Sequence, residues 1–248
     1  MKVAGIIPAR YGSTRLPGKP LMEICGKPMI WWVYHRCARI SGLDQIWVAT
    51  DDERILMVCR REKIPAVMTS PYHATAANRL WEASRQISAD FYIQLNGDEP
   101  LISREAVAAA IPREEIPLDR EFGVNIITPV RDPAQVLDDS NIKVVFDQDF
   151  RALYMSRRPI PHPFRSLDVV YYKHVGIIGY NRKMLDFYAA SKPGRLERIE
   201  GIDTLRFLDY GKELRLIPVE HLENLSVDTE KDLERVREMM KKEFPKND

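Results

Sequence analysis

The chain has 248 residues, with 37 Lys and Arg against 36 Asp and Glu, a formal charge of +1, and 45% hydrophobic and 29% charged residues. This composition describes a chain able to bury a large core without structural disulfides or metal, and it excludes a disordered polymer. The near-neutral balance also lacks the basic excess that commonly accompanies nucleic-acid binding.

The chain enters directly into Val3–Pro8, a short apolar run that reads as a buried strand. No segment there has the length of a signal peptide, and the longest apolar stretches, such as 29–34, fall short of the roughly 20 residues that span a bilayer. A soluble, cytoplasmic protein without membrane or nucleic-acid partners is expected. Cys25, Cys37 and Cys59 form no CxxC pair, which suits a reducing compartment and argues against a disulfide scaffold or a thiolate zinc site. Pro28 opens a helix to about Ile40, on which Trp31, Trp32 and Tyr34 read as core. Gln45–Thr50 reads as a strand, and Asp51–Asp52 can cap a helix to about Lys63. Ala66–Thr69 is extended, Ala76–Ile87 helical, Phe91–Leu95 a strand, and Ser103 caps a helix to Ile111. From about Gly123 strands dominate: Val124–Val130, Lys143–Phe146, Ala152–Met155 and Tyr172–Tyr180. Helices return at Arg182–Ala190, Gly201–Tyr210 and Thr229–Lys242, and Lys241, Lys242 and Lys246 read as a solvated tail.

Alternating strands and helices predict an α/β fold with a sheet covered by helices. We expect a single domain over residues 1–248, with a β-rich lobe at roughly 124–180. Ligands in such sheets gather at the carboxyl ends of strands, so the loops after Pro8, Thr50 and Leu95 are the places to look. The first of these, Ala9–Pro20, carries Arg10, Arg15 and Lys19 with Gly12, Gly18, Ser13 and Thr14. Glycines admit close backbone approach, and three cations match phosphate charge. It is not the GxxxxGK[ST] loop, because Pro20 follows Lys19. After the third, Gly97–Asp98–Glu99–Pro100 places Asp98 at the same edge, where it could instead cap the next helix; Asp228 could likewise cap the last one.

The run Ile6–Leu21 closely resembles the N-terminal signature of the sugar cytidylyltransferases, nearest to the branch acting on 3-deoxy-manno-octulosonate (Kdo). The resemblance continues through Val48–Asp51, Asn96–Leu101, Leu153–Arg157, His174–Ile177 and Val227–Thr229, in order along nearly the whole chain. It implies a nucleotide-diphospho-sugar transferase-like, Rossmann-like mixed sheet with helices on both faces. It also implies a reaction in which the anomeric hydroxyl of a keto-sugar acid attacks the α-phosphorus of CTP and pyrophosphate leaves, in the service of a bacterial surface glycan such as lipopolysaccharide or capsule. By resemblance, Arg10, Arg15, Lys19 and Asp98 serve catalysis, with the cations offsetting triphosphate charge. Ala9, Arg10, Gly12, Ser13, Lys19, Thr75, Arg79, Asn96 and Asp98 bind the nucleotide, and Asp98 and Asp228 hold Mg²⁺. Arg157, His174, Tyr180, Glu200, Asp203 and Thr204 receive the sugar acid, with Arg157 suited to a carboxylate. The Pro-rich stretch Ser156–Phe164 lies near a subunit contact in the family, and a homodimer is expected.

This chain departs from the family pattern at Ala76, Ala77 and Asn78 in the segment around the base, and at Asn96, where a longer amide is usual. The segment Ile199–Arg206 has Asp203 and Thr204 where the Kdo enzymes have Glu and Gln. Both replacements are shorter, which suggests a bulkier or differently substituted sugar, such as an amino-substituted Kdo. On the bland side, Arg79 could be a surface residue paired with Glu82 or Glu62. The alternatives in function are a sialic-type nonulosonate as the sugar, or a nucleotide-binding regulator that has lost turnover.

Overall fold

Successive residues of a strand point to opposite sides, and Val3–Ala9 (β1) is covered on both: Val3, Ile7 and Ala9 join one apolar cluster, Ala4 and Ile6 the other. That is why its sequence is a continuous apolar run and not an alternating one. The computed structural model describes residues 1–13, 15–220, 222 and 225–243; Thr14 and Lys246 lie outside them. After β1 come a 3-10 turn (Lys19–Leu21), the hairpin β2 (Glu23–Ile24) and β3 (Lys27–Pro28), α1 (Met29–Cys37), β4 (Gln45–Thr50), α2 (Glu53–Arg61), β5 (Ala66–Met68), α3 (Ala76–Ser84), β6 (Phe91–Gln94) and α4 (Arg104–Ala109). The second half contains β7 (Gly123–Val130), α5 (Pro133–Leu137), β8 (Lys143–Phe146), β9 (Ala152–Ser156), β10 (Tyr171–Asn181), α6 (Arg182–Ala190), α7 (Arg195–Glu200), α8 (Leu205–Asp209), β11 (Leu214–Pro218) and α9 (Glu230–Glu243).

The main sheet runs β11-β7-β10-β6-β1-β4-β5, with β8 beside β10 and β9 beside β8. β1 is parallel to β4 and β6, whereas β10 is antiparallel to β6, β7 and β8. Helices α1, α2 and α4 bury Val33, Ile55 and Val107 on one face; α3, α6 and α8 bury Leu80, Leu185 and Phe207 on the other. This is the expected mixed α/β fold. β7 and β10 lie inside the main sheet, so of residues 124–180 only β8, β9 and the stretch beyond them extend past it.

The largest correction concerns Gly201–Tyr210. Gly201 has φ +63° and ends α7 instead of opening a helix, the role for which a residue without Cβ is suited. Its N–H donates to the Glu197 carbonyl at 2.8 Å, and α8 starts only at Leu205. α1 stops before Ile40, which closes a turn onto the Cys37 carbonyl. α3 stops before Ile87, where Ser84 Oγ donates back to the Trp81 carbonyl at 2.7 Å. The charged α7 is anchored by a buried ion pair: Arg206 donates to Glu197 from Nη2 (2.6 Å) and Nε (2.8 Å), and its guanidinium covers the Tyr188 ring.

Leu233, Val236 and Met240 on α9 pack against Leu16, Ile24, Met29 and Trp32. The last helix thus closes over the N-terminal loop. Thr229 caps it reciprocally with Asp232: the Thr229 N–H donates to Asp232 Oδ2 at 2.9 Å, and Thr229 Oγ1 accepts from the Asp232 N–H at 3.3 Å. Asp228 is therefore not the cap. Asp98 is not one either, since Ser103 Oγ accepts the Ala106 N–H at the start of α4.

Candidate active site

Three segments far apart in sequence meet at the carboxyl end of β1. The loop after β1 supplies Arg10, Arg15 and Lys19, the turn after β6 supplies Asp98, and the approach to α9 supplies Asp228. A Cβ at Gly97 would sit 2.7 Å from the Pro8 carbonyl oxygen; glycine lets this turn press against the end of β1. The Val227 N–H donates to the Asp98 carbonyl at 2.9 Å and fixes the two acidic segments side by side. Lys19 Nζ then stands 2.7 Å from Asp98 Oδ2 and 3.1 Å from Asp228 Oδ1, and Arg15 Nη2 is 3.1 Å from the same Asp228 oxygen.

These residues line a cleft of about 400 Å³ together with Ala9, Arg10, Ser13, Thr75, Arg79, Asn96 and Asp203. Gly12 lies in an adjoining recess that shares Arg10 and Arg79. Thr75 caps α3, where its hydroxyl accepts the Asn78 N–H at 3.3 Å. Arg79 is buried, not a surface residue: Nη2 donates to Asp51 Oδ2 at 2.7 Å and Nη1 to Thr69 Oγ1 at 2.6 Å. The partners expected for it are engaged elsewhere, Glu82 with His73 and Glu62 with Lys27. Among the described residues no group of three or more His, Cys, Asp or Glu side chains forms a metal cage.

A smaller cavity of about 130 Å³ continues from the cleft, and Asn96 and Asp203 line both. His174, Tyr180 and Thr204 line it, with Gln94, Tyr188 and Phe207. Burial pushes the phenols of Tyr180 and Tyr188 up. Asp203 is open to the cleft yet set among protein atoms, and desolvation raises its carboxyl. Arg157 and Glu200 line neither space. Arg157 donates to the carbonyls of Glu200 (2.8 Å), Asp139 (3.0 Å) and Gly201 (3.1 Å). Glu200 accepts from Ser156 Oγ (2.7 Å) and the Arg157 N–H (3.0 Å). The two residues tie the end of β9 to the end of α7, behind the wall that carries Asp203.

The cytidylyltransferase family profile matches residues 4–214. The 3-deoxy-manno-octulosonate cytidylyltransferase of Escherichia coli is 38% identical over 246 residues, 99% of each chain. The 8-amino-3,8-dideoxy-manno-octulosonate cytidylyltransferase of Shewanella halifaxensis (strain HAW-EB4) is 42% identical over 240 residues, 94% of this chain and 96% of that one. This chain belongs to the cytidylyltransferase family. A solved structure of CMP:2-keto-3-deoxy-manno-octonic acid synthetase complexed with CTP superposes with a TM-score of 0.92 at 37% identity, covering 98% of this chain and all of that one. The inositol-1-phosphate CTP transferase from T. maritima shares the fold alone, with a TM-score of 0.66 at 14% identity. The chain is accordingly a nucleotidyltransferase, as its N-terminal signature suggests.

For this family member, sequence reasoning passed over Glu99. It is buried, its Oε1 accepts from Asn96 Nδ2 at 2.8 Å, and Gln94 Nε2 donates to Asn96 Oδ1 at 3.3 Å. Glu99 therefore fixes which way the Asn96 amide faces at the junction of the two spaces. Burial, with the nearby Asp98 charge, pushes its carboxyl up to about 7. The available signal was its place beside Asp98, a position that usually demands water unless the fold supplies a donor.

His174 provides a test of the buried wall. Desolvation lowers its imidazole to about 4, and Nε2 has no protein partner among the described residues. An unfolded His binds a proton below about 6.5, so between pH 6.5 and 4 the unfolded chain holds more protons than the folded one. The contribution of His174 to stability is complete above pH 6.5 and is lost as pH falls towards 4. Chemical denaturation of the wild type and His174→Gln across this range should show a shallower acid loss in the variant. Parallel pH profiles would contradict the neutral, buried assignment.

Proposed function

We propose that this chain transfers a cytidylyl group from CTP to Kdo or 8-amino-Kdo, releasing pyrophosphate, and that it does so with Mg²⁺. The observation that carries the reading is the meeting of Asp98, Asp228 and Lys19 in one cleft lined by further arginines. The full-length relatives named for these two sugars support the substrate class. Two carboxylates without a protein cage suit Mg²⁺, which takes one or two carboxylates and completes its shell with water and substrate phosphates. Asp98 and Asp228 would hold the ion, which would supply positive charge beside the phosphate oxygens.

The remaining work falls to the chain's own side chains. Arg10, Arg15 and Lys19 offset negative charge on the triphosphate and on the departing pyrophosphate. Ala9, Gly12 and Ser13 present the loop backbone, and Thr75, Arg79 and Asn96 bound the nucleotide cleft; Arg79 acts by holding Asp51 and Thr69 in place. His174, Tyr180, Asp203 and Thr204 surround the sugar acid, while Arg157 and Glu200 support that wall. No enzyme nucleophile is required, because positioning and charge neutralisation lower the barrier.

A homodimer fits the surface. Leu137, Leu153, Phe164, Leu167 and Ile199 are exposed, with Phe164 84% and Leu167 89% accessible, and residues 124–180 contribute most of them. Among the described residues no helix is long and apolar enough to cross a membrane. Cytoplasmic supply of an activated sugar to a lipopolysaccharide or capsule is the setting that this chemistry fits.

Pyrophosphate formation tests the assignment, using CTP or UTP with Kdo, 8-amino-Kdo or a sialic-type nonulosonate. CTP with an octulosonate should be the productive pair; EDTA should abolish turnover and added Mg²⁺ restore it. Preference for the nonulosonate would favour the alternative sugar. CTP binding without pyrophosphate from any acid would favour the inactive regulator.

A further inference from the structure

We propose that Arg54 is a positioning residue for CTP: it acts through the Tyr11 ring, which it covers, and so sets the aim of Arg10 and of the loop backbone at Gly12 and Ser13. The inference rests on the CTP reading above and adds to it a residue outside the nucleotide cleft.

The first observation concerns how the loop after β1 keeps its shape. Between Ala9 and Lys19 the described residues form no helix or strand. Tyr11 gathers the two limbs of the loop. Its carbonyl accepts from the Ser13 N–H at 3.0 Å and from the Gly18 N–H at 2.9 Å. Gly18, at φ +70°, also lies against the ring, where a Cβ would come 3.0 Å from Tyr11 Cε2. Lys19 and Leu16 tie the far limb to the two acids and to α9. The near limb, with Arg10, Gly12 and Ser13, leans on Tyr11. Arg10 is exposed and lines both the cleft and the adjoining recess, so its aim is set by the backbone from which it springs.

The second observation is what holds that ring. The central carbon of the Arg54 guanidinium lies 3.3 Å from its centroid. Asp52 fixes the guanidinium in turn: Nε donates to Oδ1 at 2.9 Å and Nη2 to Oδ2 at 2.7 Å. Asp52 is itself placed by capping α2, where Oδ1 accepts the Arg54 N–H at 2.9 Å. A continuous brace thus runs from the start of α2, through two side chains, to the loop after β1. Arg54 lines the recess and not the cleft.

A planar guanidinium stacks on an aromatic face, and a bidentate carboxylate removes most of its rotational freedom. The ring is therefore seated before a ligand arrives, and CTP binding does not bear the cost of ordering the near limb. Without Arg54 that cost falls on the nucleotide. It does not fall on the sugar acid, whose cavity is lined by none of the loop's residues.

The experiment measures CTP affinity by calorimetry, with kcat and both KM values, in the wild type, Arg54→Ala, Tyr11→Phe, Tyr11→Leu and the double variant Arg54→Ala with Tyr11→Leu. Arg54→Ala should weaken CTP binding by about 3- to 30-fold, the span of a partly desolvated cation–π contact. Its kcat at saturating CTP and its KM for the octulosonate should stay within about twofold of the wild type. The α2 cap survives in this variant, because Asp52 accepts from a backbone N–H, so the denaturation midpoint should hold. Tyr11→Phe keeps the ring and should bind CTP as the wild type does. Tyr11→Leu should lose at least as much affinity as Arg54→Ala, and adding Arg54→Ala to it should cost less than about twofold more. A further loss beyond that in the double variant overturns the proposal, because Arg54 would then act on CTP by its own charge. Arg54→Ala that binds CTP within threefold of the wild type also overturns it and leaves the CTP reading standing. A matching rise in KM for the octulosonate overturns it as well, since that marks a general loosening. A wild type that binds no CTP removes the nucleotide reading itself and the proposal with it.

Discussion

Lys19→Met is expected to lower kcat by about 10³-fold, in line with the loss of a positioned electrostatic donor. Lys19 Nζ contacts Asp98 and Asp228 in the cleft, at 2.7 Å and 3.1 Å, and its side chain is only 12% exposed. Methionine preserves most of the apolar stem and removes the charge. Two carboxylates are then left facing each other beside the approaching polyanion. In the free protein Lys19 also holds the loop after β1 against the turn after β6, so the loss has a binding component as well. Stopped pyrophosphate assays at saturating CTP, with CTP affinity measured separately, divide the two. Lys19→Arg should recover only part of the rate, because a planar fork cannot occupy the point between two carboxylates as an ammonium does. A kcat within tenfold of the wild type in Lys19→Met would reduce Lys19 to a structural tie.

Arg206→Leu is expected to destabilise the fold by about 3–5 kcal/mol, the range for removing one partner of a buried ion pair. Arg206 and Glu197 are each about a tenth exposed or less. The Arg206 guanidinium also caps the carbonyls of Tyr188 and Ser191 and covers the Tyr188 ring at 3.9 Å. Leucine fills part of the volume and answers none of these groups, so Glu197 is left charged and enclosed. Denaturant titration measures the loss. Paired substitution Glu197→Leu with Arg206→Leu should recover much of it, because removing both charges removes the desolvation penalty along with the attraction. If the double variant is as unstable as the single one, packing and not charge governs the site.

The parts of the fold that the sequence makes legible are those with a simple local cause. β4 and β8 have the bounds read from their sequences, because each is a short apolar or β-branched run. α6 likewise begins after Asn181, whose side chain accepts the Met184 N–H. α7 escapes because its stability comes from the paired charges Glu197 and Arg206, which leave no apolar stripe, and because Gly201 reads as a beginning when it is an end. β11 is a brief edge strand that finishes in Pro218, and its pairing with β7 depends on a partner about ninety residues away. In the site, the basic loop and Asp98 announced themselves as a motif. The meeting of Asp228 with Lys19 is legible only through the family resemblance, because it depends on α9 packing over Leu16 and Trp32 and on the Val227–Asp98 hydrogen bond. Glu200 shares a segment with Asp203 and Arg157 ends the Leu153–Arg157 motif, yet backbone carbonyls claim Arg157, and the Arg157 N–H and Ser156 hydroxyl claim Glu200, which no spacing rule anticipates.

The ion pair between Lys19 and Asp228 spans 209 positions of the chain. On the proposed roles competence needs Asp228, which follows every strand of the sheet: a nascent polypeptide can complete that sheet while still lacking one of the two acids that face Lys19. On the same roles, detachment of α9 would silence the enzyme by opening only a small cooperative unit, without melting the strands that carry the rest of the machinery.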